Sequence, residues 1–157
     1  MNISVLIIAH NEEKLIEKCI KSILNQTQEP NEVILIAHNC TDGTVEISQK
    51  YSQVNTIIYN NTPGGIFALI KGLEMVTGDI VCCIDGDAWA DKNWVEEMVK
   101  TLDQNNILVG SWIKFKGTFL GWISNFFNKY LCIENKKPER WFWGASMTFW
   151  GKDKNLI

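Results

Sequence analysis

A short apolar run that ends in two aspartates is the feature that most constrains the fold of this chain. Residues 80–84 are all apolar and read as a buried strand, and Asp85-Gly86-Asp87 follows directly. Open α/β sheets bind their ligands at the carboxyl ends of their strands. Gly86 permits a sharp bend, so both carboxylates can converge on one small target. Like charges this close need a cation, and oxygen ligands suit Mg²⁺ or Mn²⁺ shared with a phosphate. The pattern indicates a site for a metal ion and a diphosphate.

An aspartate pair of this kind also occurs in three different settings. Asp-Gly is a common turn, so a solvated turn is the simplest alternative. A calcium-binding loop would need an oxygen ligand and a glycine where this chain has Trp89 and Ala90. The remaining positions of such a loop would be Asp85, Asp87, Asp91 and Glu96. A phosphatase nucleophile of the Asp-x-Asp type should follow the first strand, whereas this pair follows the fourth.

Composition is that of an ordinary globular domain. The 157 residues are 46% hydrophobic and 21% charged, which is enough for one substantial core. The formal net charge of −3 gives no electrostatic case for binding nucleic acid. The five cysteines are odd in number and lack paired metal spacing, so we expect a reduced, cytoplasmic protein. Neither a signal peptide nor an apolar run long enough to span a bilayer is predicted.

Strand-like and helix-like segments alternate four times through the first two thirds of the chain. Asn11 is expected to cap the first helix. Ile66, Ile70 and Leu73 are expected to form the inner face of the third helix. Four successive β-α units predict a parallel, doubly wound α/β sheet. The predicted strands span residues 4–9, 32–37, 54–59 and 80–85.

The composition changes after residue 107. Twelve of the 17 aromatic residues lie between Trp112 and Trp150. An apolar-faced helix is predicted over residues 119–131, and one or two strands over 141–150. Trp141 and Trp143 would share one strand face, and basic residues precede them. We therefore expect self-association or peripheral membrane binding through residues 112–150.

Four stretches of the chain carry a resemblance to a known family: residues 5–13, 34–44, 64–79 and 85–87. Taken in order, they resemble the inverting nucleotide-sugar glycosyltransferases of the GT-A fold, of the glycosyltransferase family 2 type. The resemblance implies a Rossmann-like, mostly parallel sheet flanked by helices and incomplete at its C-terminus. It has good motif support over residues 3–104 and little beyond. It implies one domain over residues 1–157, with a donor-binding half at 1–104 and a partial acceptor-side half at 105–157.

The resemblance also implies roles for particular residues. The loop after the first strand would hold the base and ribose of the nucleotide, and His38 would contribute a further contact. Asp85 would approach the ribose or the metal. Asp87 would bind the Mn²⁺ or Mg²⁺ that bridges the diphosphate. The residues of the first loop are Ala9, His10, Asn11 and Glu12.

Two departures from the family pattern matter. The second strand ends in Ala37-His38 instead of aspartates, so His38 either contacts the nucleotide or lies in a surface turn. The family's catalytic base is a carboxylate beyond the strand that residues 142–150 resemble. Asp153 lies too soon after that strand to match, so we expect the base beyond Ile157 and a truncated domain.

The predicted function is binding of a nucleotide-diphosphate sugar, with a UDP sugar favoured, for inverting transfer to an unknown acceptor. The alternative is a non-catalytic module that binds a nucleotide sugar or a partner. A sugar nucleotidyltransferase has a similar sheet, but it would need a glycine-rich, basic loop where this chain has His10-Asn11-Glu12-Glu13. The expected location is the cytoplasm, extending to peripheral contact with the inner face of the membrane.

Overall fold

The computed structural model describes residues 1–102, 108–110 and 146–151. Within these ranges, helices flank one six-stranded sheet. The strands are β1 (Ile3–Ala9), β2 (Glu32–His38), β3 (Asn55–Tyr59), β4 (Ile80–Asp85), β5 (Leu108–Gly110) and β6 (Ser146–Trp150). The helices are α1 (Ile16–Leu24), α2 (Thr44–Ser48), α3 (Gly65–Met75) and α4 (Trp94–Thr101).

The strand order is β3-β2-β1-β4-β6-β5. The first four strands of the chain are parallel, which confirms the predicted doubly wound sheet. β6 joins antiparallel to β4, and β5 pairs antiparallel with β6. Strands β1 and β4 are neighbours although the chain travels outward through β2 and β3 between them. The direction of strand order therefore reverses at β1 and β4, and their carboxyl ends flank the crevice where such sheets bind ligands.

The central strands are apolar on both sides because helices cover both faces of the sheet. Val5 and Ile7 of β1 pack into the cluster formed with α1 and α4. Leu6 points to the opposite face and packs into the cluster formed with α3. All three side chains are fully buried. This two-sided burial explains why β1, β2 and β4 read as continuous apolar runs.

The start of α1 differs from the prediction that Asn11 caps it. The helix begins at Ile16, and Leu15 occupies the N-cap position without a side-chain cap. Asn11 has φ 57, a left-handed conformation that asparagine tolerates better than most residues. Its side chain bonds to a neighbouring loop and not to the helix. The buried side of α1 follows the predicted helical spacing, with Ile16, Cys19, Ile20 and Ile23.

The prediction of the inner face of α3 was wrong for two of its three residues. Ile66 and Ile70 are 55% and 48% exposed, whereas Leu73 is buried as expected. Ala68 and Gly72 are buried in their place. A Cβ at Gly72 would overlap the side chain of Leu6, so the helix lies too close to β1 for larger residues on that side. Close packing with small residues therefore decides which face of α3 turns inward.

Several predictions fall on residues that the structure does not describe. The helix over 119–131 and the tryptophans Trp141 and Trp143 lie outside the described residues. The strand predicted toward Trp150 is confirmed by β6. None of the helices in the described ranges has the length and apolar character needed to cross a membrane.

Candidate functional site

The carboxyl edge of the parallel strands collects the residues that the sequence predicts as a site. Ile8 of β1 is in register with Asp85 of β4, and Ala9 is in register with Ala37 of β2. His10 directly follows β1, and His38 is the last residue of the neighbouring strand β2, at the same level. Glu12 lies within electrostatic reach of both Asp85 and Asp87. The loops after β1, β2 and β4 thus meet at the β1–β4 crevice.

Gly86 holds the two aspartates against β1. Its backbone N–H donates a hydrogen bond of 2.7 Å to the carbonyl of Ile8. A Cβ at this position would lie 2.9 Å from Cβ of Ala9 and 3.2 Å from Cα of the same residue. Ala9 is itself 1% exposed. This exposure is that of the whole residue, backbone included, and contact between Ala9 and a nucleotide stays a prediction.

Replacing Gly86 by alanine is expected to lower the free energy of unfolding by about 1–3 kcal/mol, because the added methyl overlaps Ala9 in a packed position. Urea unfolding followed by circular dichroism measures the change. Gly65→Ala is the matched control, since an added Cβ there meets nothing within 4 Å. Equal stability of the Gly86→Ala variant and the original chain would contradict this account of the close approach.

The carboxylates form one negative cluster. Asp85 is exposed, yet the surrounding protein partly desolvates it, and this effect together with the charge of Asp87 raises its pKa to about 6. The pKa of Glu12 is also raised, mainly by desolvation and then by Asp87 and Asp42, against a smaller lowering by His10. Asp85 and Glu12 are therefore harder to ionise beside Asp87, and a cation placed among these carboxylates would relieve the repulsion.

The residues present fit a divalent metal ion that is shared with a ligand. The described salt bridges are Lys21–Glu17, Lys71–Glu74 and Lys100–Glu96, all on helix surfaces, so none neutralises Asp85 or Asp87. No group of three His, Cys, Asp or Glu side chains in the described ranges would enclose a metal by itself. Two hard oxygen donors suit Mg²⁺ or Mn²⁺, which usually completes its coordination with water and phosphate oxygens.

Two left-handed asparagines shape the rim of the site. Asn11 follows β1 and Asn39 follows β2, with φ 57 and φ 49. The Asn11 Oδ1 accepts a hydrogen bond of 2.7 Å from the backbone N–H of Thr41. The Asn39 side chain accepts from the N–H of Asn61 at 3.0 Å and donates to its carbonyl at 2.8 Å. Each asparagine therefore ties its own loop to the next one along the sheet edge.

Sequence reasoning missed a short repeat that underlies this arrangement. Residues 8–11 and 36–39 have the same sequence, Ile-Ala-His-Asn. The register of β1 and β2 places the two copies side by side. The signal was present in the sequence, but only the strand pairing shows that the copies are neighbours.

The carboxylates nearest to this rim are already engaged in the loop structure. Asp42 accepts hydrogen bonds from the backbone N–H groups of Glu13 and Thr44, both at 3.0 Å, and from the Thr44 hydroxyl. Desolvation would raise the pKa of Asp42, but these hydrogen bonds outweigh it and hold the pKa below its usual value. Glu13 in turn accepts from the N–H of Gly43 at 3.1 Å. The hydrogen bonds of Asp42 and Glu13 therefore stabilise the loop after β2.

The two histidines have different environments. His38 is 3% exposed, so it does not lie in a surface turn. Its Nδ1 donates to the carbonyl of Tyr59 at 3.1 Å, and Nε2 faces the side-chain nitrogen of Asn39 at 3.3 Å. Contact between His38 and a nucleotide stays a prediction, with both ring nitrogens already engaged. His10 is exposed, and its Nδ1 lies 2.7 Å from the carbonyl of His38.

A cavity of about 650 Å³ lies at the opposite, amino-terminal edge of the sheet. Its walls include Asn31, Glu32, Gln49 and Asn55. The Glu32 carboxylate accepts hydrogen bonds there from the Ser4 hydroxyl, at 2.5 Å, and from the backbone N–H of Thr77. The cavity lies at the opposite edge of the sheet from the carboxylate cluster, so the presence of a cavity does not by itself mark the site.

The sequence matches a protein-family model and several curated proteins. Residues 4–151 match the family model described as glycosyl transferase family 2. A glycosyltransferase of Haloferax volcanii, AglE, is 30% identical over 120 residues, covering 72% of this chain and 40% of that protein. The putative glycosyltransferase EpsH of Bacillus subtilis is 27% identical over 110 residues, covering 68% of this chain and 32% of that protein. The chain thus spans well under half the length of these relatives.

Solved structures share the fold. The mannosyltransferase PcManGT of Pyrobaculum calidifontis, in complex with GDP-Man and Mn²⁺, superposes with a TM-score of 0.76 at 22% identity, over 99% of this chain and 46% of that one. Glucosyl-3-phosphoglycerate synthase of Mycobacterium tuberculosis, in complex with Mn²⁺, UDP and phosphoglyceric acid, gives a TM-score of 0.72 at 23% identity, over 96% of this chain and 56% of that one. The fold and the family model agree, and this chain belongs to glycosyl transferase family 2.

Proposed function

We propose that this chain binds the nucleoside diphosphate of a sugar donor at the β1–β4 crevice, through a divalent ion held by Asp87 and Asp85. The observation that carries the proposal is the exposed carboxylate pair, which no described lysine or arginine neutralises. A diphosphate is itself anionic, so this edge would repel it without a cation. Two structures with the same fold carry Mn²⁺ with a nucleotide or nucleotide sugar, which supports the choice of ligand.

The roles of the residues follow from their placement. Gly86 and the β1–β4 pairing hold the carboxylates at the crevice. His10, Asn11 and Glu12 lie on the side of β1 that faces β2, where the base and ribose are expected. When bound, the ion would act as a Lewis acid that neutralises charge on the departing nucleoside diphosphate. Attack on the opposite face of the sugar by an acceptor hydroxyl would invert the anomeric centre.

The remaining parts of the proposal extend beyond the described site. Residues 1–104 would form the donor-binding half, and residues 105–157 part of the acceptor side. The catalytic base is expected outside the 157 residues, and the acceptor is unknown. Association with a membrane or with a second copy, through residues 112–150, stays a prediction.

Isothermal titration calorimetry tests the donor proposal directly. UDP is expected to bind in the presence of Mn²⁺ or Mg²⁺ and to lose most of its affinity in EDTA. UMP is the matched control, because it shares the base and ribose but lacks the second phosphate that the ion would bridge. The metal should therefore strengthen UDP binding much more than UMP binding. Equal affinity for UDP with and without the ion would overturn the proposal.

A further inference from the structure

Helix α1 is hydrogen-bonded to the loop that carries Asp87. This loop, residues 86–93, connects β4 to α4. The hydroxyl oxygen of Ser22 in α1 accepts a hydrogen bond of 2.9 Å from the backbone N–H of Ala90. Gln26, just beyond the helix, donates from Nε2 to the carbonyl of Asp91 at 2.8 Å. Two side chains that lie 68 and 65 positions earlier in the chain therefore hold the second half of this loop.

The Ser22 hydroxyl has a determined orientation. Its oxygen lies 2.7 Å from the carbonyl of Cys19, and a carbonyl only accepts, so the hydroxyl hydrogen points there. The lone pairs of the oxygen then remain for the N–H of Ala90. Ser22 therefore meets the loop as an acceptor, held in place by its own helix.

Gln26 supports this contact from below. The residue is 6% exposed and uses both ends of its amide. Its Nε2 donates to the carbonyls of Ser22 and Asp91 at 2.9 and 2.8 Å, and its Oε1 accepts from the N–H of Val95 at 2.9 Å. The reversed amide would place its oxygen against two carbonyls, so the surroundings determine which end is nitrogen. Gln26 therefore ties α1, the loop and the first turn of α4 together.

Asp87 lies on a short span between two anchored residues. Before it, the N–H of Gly86 donates to the carbonyl of Ile8 in β1 at 2.7 Å. After it, Ala90 is bonded to Ser22. Only residues 87–89 separate these points, so a shift of Ala90 would move the carboxylate of Asp87. Metal–ligand distances vary by only about 0.2 Å, so a small displacement is enough to weaken a metal site.

Two other contacts from α1 reach this region, but neither fixes the backbone after Asp87. Lys18 lies over the ring of Trp89, with Nζ 3.1 Å from the ring centroid, and both residues are exposed. The Cys19 thiol lies 3.6 Å from the carbonyl of Asp85, on the strand side of Gly86, and a thiol is a weak donor.

From this geometry we infer that Ser22, supported by Gln26, is a positioning residue for metal binding by Asp87. It acts through the backbone of the loop, by holding Ala90 so that Asp87 keeps its place relative to Asp85. The inference rests on the proposed function and adds to it the part of the fold that maintains the carboxylate pair. Residues that orient a metal ligand in this way typically contribute about 10–100-fold to metal affinity.

The test measures Mn²⁺ binding in the presence of UDP by electron paramagnetic resonance, which counts the free ion. Ser22→Ala removes the acceptor, and its Mn²⁺ dissociation constant is expected to rise about tenfold. Hydrogen exchange of the Ala90 amide, measured without metal, should become faster in the same variant. Ser22→Thr keeps a hydroxyl and should bind Mn²⁺ within about threefold of the original chain.

Ser48→Ala is the matched control. Ser48 is a fully buried serine of α2, and its hydroxyl likewise donates to the carbonyl three residues earlier, that of Val45, and accepts one further bond, from Thr56. Its loss should lower the melting temperature and leave the Mn²⁺ affinity unchanged, because α2 does not contact the loop through this residue. Melting temperatures verify that each variant is folded under the conditions of the binding measurement.

The outcomes separate this inference from the function beneath it. Unchanged Mn²⁺ affinity or unchanged Ala90 exchange in Ser22→Ala would overturn the positioning role and leave the donor proposal standing. An equal loss of affinity in Ser48→Ala would assign the effect to general stability, and an equal loss in Ser22→Thr would assign it to helix packing; either would overturn the inference. Absence of Mn²⁺ binding with UDP by the original chain would overturn the donor proposal, and this inference with it.

Discussion

Replacing Asp87 by alanine is expected to weaken Mn²⁺-dependent binding of UDP by about 100-fold or more. Residues that only orient a metal ligand typically contribute 10–100-fold to metal affinity, and loss of the ligand itself should cost at least the upper part of that range. Asp87 is exposed and no described cation pairs with it, so its removal leaves the packing of the core intact. The weak binding that remains without metal should change little, since the proposed contacts to the base are made by other residues. Calorimetry with and without Mn²⁺ measures both quantities.

Asp91→Ala is the matched control for this change. Asp91 is an exposed aspartate on the same segment, and its described hydrogen bonds use the backbone carbonyl, which the substitution retains. It should preserve metal-dependent binding, although it removes one negative charge from the same region. Undiminished metal-dependent binding by the Asp87→Ala variant would show that the ion is held elsewhere. An equal loss of metal-dependent UDP binding in both variants would show that the effect comes from the change in net charge and not from a metal ligand.

Under the proposal that the general base lies beyond Ile157, the purified 157-residue chain is expected to transfer sugar about 10²–10⁴-fold more slowly than a longer relative that carries the base. Slow hydrolysis of the donor should continue, since the carboxylate pair and the nucleotide contacts remain. Mass spectrometry of incubations with UDP sugars and candidate acceptors separates transfer from hydrolysis. The same measurement distinguishes an enzyme from a non-catalytic binding module.

Rapid transfer to any acceptor would contradict this expectation. The next experiment would then be Asp153→Asn, because Asp153 is the late carboxylate nearest to the predicted strand end. Loss of transfer in that variant, with UDP binding unchanged, would identify Asp153 as the base. Retention of transfer would direct attention to a group supplied by a second copy of the chain.

The general fold could be predicted because its signals are local. Fully apolar strands separated by helical periodicity require a sheet covered on both faces, and β1, β2 and β4 are buried in that way. The carboxylate pair was predictable for the same reason, since Asp85 comes directly after the last buried residue of β4. The end of a strand and the polar residues that follow it can be predicted from the sequence without knowing which strands pair with each other.

The orientation of α3 was not readable from its apolar residues. Ile66 and Ile70 have the spacing of an inner face, but the helix turns Ala68 and Gly72 toward the sheet. The free energy of close contact with Leu6 decides this, and it depends on a residue 66 positions earlier in the chain. The role of Asn11 was likewise not predictable from its neighbours in the sequence. Its side chain accepts a hydrogen bond from Thr41 of the next loop instead of capping the helix.

The sequence by itself determined the β-α order, the placement of two carboxylates at the carboxyl end of β4 and the apolar character of the central strands. Those features depend on residues close together in the chain. Only the tertiary structure decided that the two Ile-Ala-His-Asn segments lie side by side, and that His10 donates to the carbonyl of His38. A hydrogen bond between residues 28 positions apart depends on strand pairing and register, which local patterns do not specify. The chemical character of His10 in the site is therefore a property of the folded sheet edge.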